Sequence, residues 1–128
     1  DPREIVEDAC YVRLIAHSAR EGHRDSIACL DRTFEMEPKY ISEAIETAAL
    51  YGHIDCVKLM LSFDVNWGSY LMYSKALVNA YNADHYSIAK LLILDGRFQA
   101  HISLIDGSSE PLTVEGIECI ESLIAMGV

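Results

Sequence analysis

Histidine, aspartate and cysteine are the residues of this chain whose types and spacing could do chemistry. Five histidines are present, His17, His23, His53, His85 and His101, and three of them recur at offsets of 30 and 32 residues. Imidazoles bind zinc or move protons near neutral pH. A metal site needs several of them on one face, and side chains that recur once per unit stand a full unit apart. They are expected to serve turns instead. Asp25 and Asp55 follow His23 and His53 by two residues, a spacing that could make an acid–base pair. A carboxylate in the first turn of a helix, favoured by the macrodipole, explains them as well, and this is the expectation. Cys10, Cys29, Cys56 and Cys119 are far apart and include no C-x-x-C. A disulfide scaffold of this size would hold more cysteine at tighter spacing. The four therefore read as reduced thiols buried as small hydrophobes. Cys29 and Cys119 fall on apolar helical faces, which argues against a nucleophile. Glycine-rich phosphate loops, nucleophile elbows and H-E-x-x-H are absent from the sequence. No catalytic residue, metal site or cofactor is expected, and the chain reads as a non-enzyme.

The elements that hold these residues repeat. Gly22-His23-Arg24-Asp25, Gly52-His53-Ile54-Asp55 and Asp84-His85-Tyr86-Ser87 occupy equivalent places. Upstream, Tyr11, Ile41 and Tyr73 share a position. So do Leu14, Ala44 and Ala76; Ile15, Ile45 and Leu77; and Ser18, Ala48 and Ala80. Spacings of three, four and seven make one helical face. Downstream, Ile27, Val57 and Ala89, then Cys29, Leu59 and Leu91, then Leu30, Met60 and Leu92 make another. Each unit is thus a helix, a tight turn and a helix. Gly22 and Gly52 suit the left-handed residue that ends the first helix, and Asp84 takes that place at some strain. A fourth unit shows its second half: Ile117-Glu118-Cys119-Ile120 matches Ile54-Asp55-Cys56-Val57, and Leu123-Ile124 matches Met60-Leu61. The spacing predicts helices over 3–20, 24–36, 38–50, 54–63, 69–82, 86–95, 98–105 and 113–126. Pro38 suits a first helical turn, and Thr113, or Ser109 before Pro111, can cap the last helix. No stretch alternates strictly with period two, so no substantial sheet is expected.

Ala48 to Leu61, continuing to Asp64-Val65-Asn66, resembles an ankyrin repeat. It carries the family's A-A-x-x-G-H-x-x-x-V-x-x-L-L core and closing D-V-N. Ser18–Leu30 and Ala80–Ile93 are weaker copies. The family's T-P-L-H opening is missing: Glu43-Ala44-Ile45-Glu46 and Lys75-Ala76-Leu77-Val78 stand there. The short period makes long hairpin fingers unexpected, with only 63–70 and 96–112 able to project. The resemblance implies an all-α fold, a short solenoid of stacked antiparallel helix pairs in a single domain, 1–128. Its units would be about 8–37, 38–68 and 69–97, with an irregular partial unit over 98–128. It also implies that His23, His53 and His85 bond neighbouring backbone.

The resemblance further implies a protein-binding module that reads its partner with the concave face of the first helices. By register that face carries His17, Arg20 and Glu21; Glu43, Glu46, Thr47, Leu50 and Tyr51; and Lys75, Asn79 and Asn82. Its acidic centre suits a partner with a basic patch. Trp67 and Tyr70 at the connection before the third unit are further contact candidates; packing explains Trp67 as a plug at the end of the stack and puts Tyr73 and Tyr81 in the core. The alternative is a non-catalytic targeting domain of a larger enzyme or of a microbial or viral effector, and a spacer or self-association module is a third reading.

Composition agrees with one globular domain: 128 residues, 51% hydrophobic and 23% charged, net charge −10. The acidity is spread, −6 over residues 1–64 and −4 over 65–128. This disfavours nucleic acid and anionic membranes, which want a basic face. The longest pure aliphatic run is Leu91–Leu94, too short to span a bilayer, and no signal peptide opens the chain. A cytoplasmic monomer is expected, in the host cytosol if the chain belongs to an effector. A start at Asp1 suits a fragment or a processed product. Terminal repeats usually show a polar outer face, yet Ile117, Ile120, Leu123 and Ile124 are apolar, so the last helix is expected to pack inward.

Overall fold

A computed structural model describes residues 2–99, 101–103 and 109–127, with side chains placed over 11–99 and 111–127. Among the described residues seven helices carry the fold: α1 Pro2–Glu21, α2 Arg24–Thr33, α3 Pro38–Tyr51, α4 Ile54–Leu61, α5 Ala76–Asn82, α6 Tyr86–Asp95 and α7 Val114–Ala125. A small ribbon, β1 His101–Ser103 and β2 Ser109–Pro111, lies between α6 and α7. Its strands run antiparallel, with Ile102 opposite Glu110. Helices α1 and α2, α3 and α4, and α5 and α6 pack as pairs. α1 also packs on α3 and α3 on α5, while α2 packs on α4 and α4 on α6. Two layers of helices result.

Three turns set the pairs. In each, the histidine N–H donates to the carbonyl five residues back: His23 to Ser18 at 2.8 Å, His53 to Ala48 at 2.9 Å and His85 to Ala80 at 2.8 Å. This is the bond that closes a helix through a left-handed residue. Gly22, Gly52 and Asp84 supply that residue, with φ of 76°, 81° and 63°. Small side chains then let the first helices approach. Ser18, Ala19, Ala44, Ala48, Ala76 and Ala80 are all buried, and Ile15, Ile45 and Leu77 fill the space between. Burial of each large aliphatic contributes about 1.5–3 kcal/mol. In the second layer Ile27, Val57 and Ala89, and Leu30, Met60 and Leu92, are buried as the register requires.

The helix starts follow local chemistry. Extended Glu37 feeds Pro38 at the first turn of α3, and the Tyr11 hydroxyl accepts the Glu37 N–H at 3.0 Å. The Thr113 hydroxyl caps α7 by accepting the Gly116 N–H at 3.0 Å.

Four expectations need correction. The helix expected over 69–82 begins only at Ala76. Residues 68–73 form turns instead, with Gly68 at φ 54° and Trp67 and Leu71 drawn into the core. The Ser74 hydroxyl then accepts the Ala76 N–H at 3.1 Å and starts α5. The helix expected over 98–105 is not formed over its described residues. Gly96 ends α6 at φ 82°, Phe98 is buried and His101–Ser103 is a strand; residues 104–108 lie outside the described ones. Tyr73 and Leu14 leave the core: Tyr73 is 69% exposed because it precedes α5, and Leu14 lies at the edge of the α1 stripe, also exposed. Cys29 and Cys119 are exposed and only Cys56 is buried; Cys10 lies outside the described side chains.

Candidate functional site

The exposed face of α1 and α3 carries most of the residues expected to make contacts. Ala16, His17 and Arg20 of α1 and Thr47, Leu50 and Tyr51 of α3 line one shallow groove of about 410 Å³. Its walls follow from the helical register. The buried stripes Ile15–Ser18–Ala19 and Ile45–Ala48–Ala49 turn inward, so residues one position over face out on both helices. Leu50 and Tyr51 are 44% and 51% exposed beside the turn. Glu21 holds the Arg20 guanidinium at 3.3 Å, and the Arg20 Nη2 lies 3.4 Å from His17 Nδ1. Thr47 donates its hydroxyl to the Glu43 carbonyl at 3.1 Å. The groove therefore offers an apolar floor and pre-positioned polar edges.

The remaining expected contact residues divide. Glu43, Lys75 and Asn82 are exposed. Glu46 is half-buried and occupied: its carboxylate accepts the Lys75 N–H at 3.0 Å, and its carbonyl accepts the Asn79 side-chain amide at 3.2 Å. These two residues join α3 to the start of α5, which sequence reasoning missed. Tyr70 is exposed, and its carbonyl accepts the Ser42 hydroxyl at 3.4 Å. Trp67 is corrected from a contact residue to a core residue, with 8% of its surface exposed. Arg97 explains it. The guanidinium lies 5.9 Å above the Trp67 ring, donates to the Leu61 carbonyl at 3.3 Å and grips both oxygens of Asp95 at 2.7 and 2.9 Å. That grip holds the Asp95 carboxyl below the usual carboxylate range, chiefly through the hydrogen bond, against the opposing effect of burial. The tripeptide Asp95-Gly96-Arg97 was the available signal, since a glycine between opposite charges lets the chain fold back on itself.

The titratable groups serve the scaffold. The His53 ring packs on Gly22 and bonds the Arg20 carbonyl at 2.8 Å through Nε2. The His85 ring packs on Gly52 in the same way. Of the three turn histidines, His53 has the backbone bond among the described residues, and it reaches the preceding pair rather than its own turn. His17 and His23 stand edge to face, 6.2 Å apart. Burial, then the charge of Asp55, raises the Cys56 thiol pKa, with Arg24 opposing; this keeps the sulfur protonated and unreactive. The Asp84 carboxylate accepts the Tyr86 hydroxyl at 2.8 Å and raises that phenol pKa. Among the described residues no three His, Cys, Asp or Glu side chains converge as metal ligands. No described helix is long and apolar enough to cross a membrane. No protein-family model, curated protein or solved structure matches this chain.

Proposed function

We propose that this chain is a non-catalytic protein-interaction module, a short solenoid of ankyrin-like helix pairs that binds its partner through the exposed face of α1, α3 and α5. The observation that carries this reading is the groove between α1 and α3, where Leu50 and Tyr51 stand exposed beside His17, Arg20 and Thr47. Large side chains already fixed on helices lose little freedom on binding, so contact energy is not consumed in ordering them. An aromatic anchor of this kind dominates a small interface. Glu43, exposed and next to the groove, favours a partner with basic residues there and acts mainly on the rate of association.

The test uses a partner recovered by affinity selection on the intact protein and measured by calorimetry. Tyr51→Ala should weaken binding by about 2 kcal/mol, roughly thirtyfold, with an unchanged thermal melt. Glu43→Lys should slow association and reduce its salt dependence. Full affinity in the Tyr51→Ala variant would place recognition elsewhere, first at Tyr70.

A further inference from the structure

Exposed apolar side chains do not by themselves select an occupant. On α7, Leu123 and Ile124 are exposed, which corrects the expectation that this helix packs inward, and nothing beside them names a partner. The groove between α1 and α3 differs, because its polar edge is one-sided. His53 Nε2 donates to the Arg20 carbonyl at 2.8 Å, and the same ring rests on Gly22. His53 follows the end of α3 and Gly22 the end of α1, so the two packed helices end together and run the same way. One wall is then Ala16, His17 and Arg20, and the other Thr47, Leu50 and Tyr51.

The charged and imidazole groups of the α1 wall are donors. A guanidinium has no acceptor. His17 Nδ1, 3.4 Å from Arg20 Nη2, therefore accepts, which assigns the imidazole proton to Nε2. Glu21 takes the Nε side of Arg20 at 3.3 Å. The Arg20 Nη1 hydrogens and the His17 Nε2–H are left without an acceptor among the described residues. Arg13, exposed one turn before His17, has no ion pair among the described residues and adds positive charge to the same edge. Across the groove, Thr47 gives its hydrogen to the Glu43 carbonyl, Glu46 is occupied by the Lys75 N–H, and Leu50 and Tyr51 are exposed. Glu43 stands seven residues before Leu50, about 10 Å along the axis, which is about one screening length at moderate salt. It therefore does little to repel an anion at Arg20.

We propose that this groove takes a segment of a partner protein that sets an aspartate or glutamate carboxylate on Arg20 and His17 and, one helical turn from it, a large apolar side chain on Leu50 and Tyr51. The proposal rests on the groove being the contact surface and adds the chemistry that it reads. The base that Glu43 favours lies at the other end of the same segment, so opposite charges fix its direction. A phosphate is disfavoured: a single guanidinium already shared with Glu21 suits a monoanion, and a dianion would be repelled more strongly by Glu21 and by a chain of net charge −10.

The probe is a phage-displayed library of random linear peptides selected on the intact protein. Enriched peptides are synthesised and titrated by fluorescence anisotropy. Those that lose about thirtyfold in affinity on Tyr51→Ala should share an acidic residue one turn from a large apolar one, and should bind less tightly as salt rises. Arg20→Gln should weaken them by about tenfold with an unchanged melt, since the bond from His53 is made to the Arg20 main chain. Arg20→Glu should bind the peptide whose acidic residue is replaced by lysine better than it binds the original, a reversal that lost packing would not produce. Arg32→Gln, on the exposed surface of α2, should stay within about twofold. Peptides that depend on Tyr51 but carry no carboxylate, or that ignore Arg20→Gln, overturn the proposal and leave the groove as the contact surface. Peptides that ignore Tyr51→Ala, or a selection that enriches none, overturn both. A dimer in light scattering that Tyr51→Ala abolishes would overturn the proposal as well, since a second copy would then fill the groove.

Discussion

The first two turns and the third differ in what fills them. At Gly22 and Gly52 the backbone is left-handed and the next unit's histidine rests on it; an added Cβ would lie 2.6 Å from His53 and 2.7 Å from His85. At Asp84 the φ is the same in sign, but no histidine follows it one period later: residue 116 is a glycine inside α7. A side chain fits there, and its carboxylate takes the Tyr86 hydroxyl. Glycine is thus required twice over at the first two turns and only for backbone reasons at the third. A turn residue reports on its neighbour as well as on itself.

The largest effect that could break this comparison is at Gly52. Gly52→Ala adds left-handed strain and a clash with the His85 ring, and should destabilise by about 2–4 kcal/mol in urea unfolding. Gly96→Ala has a similar φ, 82°, and open space around it, so it should cost about 1–2 kcal/mol. Equal losses would mean that the histidine contact contributes nothing. Next comes His53→Ala, which removes the bond to the Arg20 carbonyl and uncovers Gly22. A loss of about 1–2 kcal/mol is expected, and the protection of α1 and α3 amides from hydrogen exchange should fall together. Asp84→Gly should instead stabilise by about 0.5–1 kcal/mol, since strain is relieved and no ring is displaced. A lower urea midpoint would show that the Tyr86 bond outweighs the strain.

The smallest effect concerns how the third unit is held. Arg97 lowers the pKa of Asp95 in the folded state. The stability this gives is therefore present above the unfolded carboxylate value, near 4, and is lost as pH falls through the depressed one. Arg97→Gln should cost about 0.5 kcal/mol at pH 7, the size of a largely solvent-screened pair. The gap to the parent protein should close as the solution is acidified below the folded value. A gap that stays constant with pH would assign the effect of Arg97 to the Leu61 carbonyl and the Trp67 ring alone.

Periodicity made the helix pairs and the three turns legible. Ile15, Ile45 and Leu77 are buried where the register puts them, and Asp84 is left-handed as its alignment with Gly22 and Gly52 requires. The groove was legible too, because the outward positions of two packed helices follow from the inward ones. What periodicity could not give lies where contacts cross between units. Cys29 shares a register position with Leu59 and Leu91, yet those are half-buried and it is exposed. Among the described helices, its own helix α2 packs on α1 and α4. Trp67 left both a contact and a packing reading open, because nothing in its vicinity announces that Arg97, thirty residues on, lies over its ring. The shortened α5 rests likewise on Ser74 and Glu46, single polar side chains that leave no periodic trace.

The pairing of each glycine with the histidine one unit later bears on how such a chain can change its length. The fit couples only adjacent units, and the second unit carries both halves of it: the Gly52 notch and the His53 ring that fills the notch before. Excising residues 23–52 as one block would join Gly22 to His53, and His85 would then arrive at the vacated notch. Gain or loss of whole units by unequal recombination preserves the fit, whereas a cut displaced by two residues destroys it. The in-phase deletion should keep a cooperative melt and the out-of-phase one should not; two equally cooperative melts would show that the notch does not govern which units can follow one another.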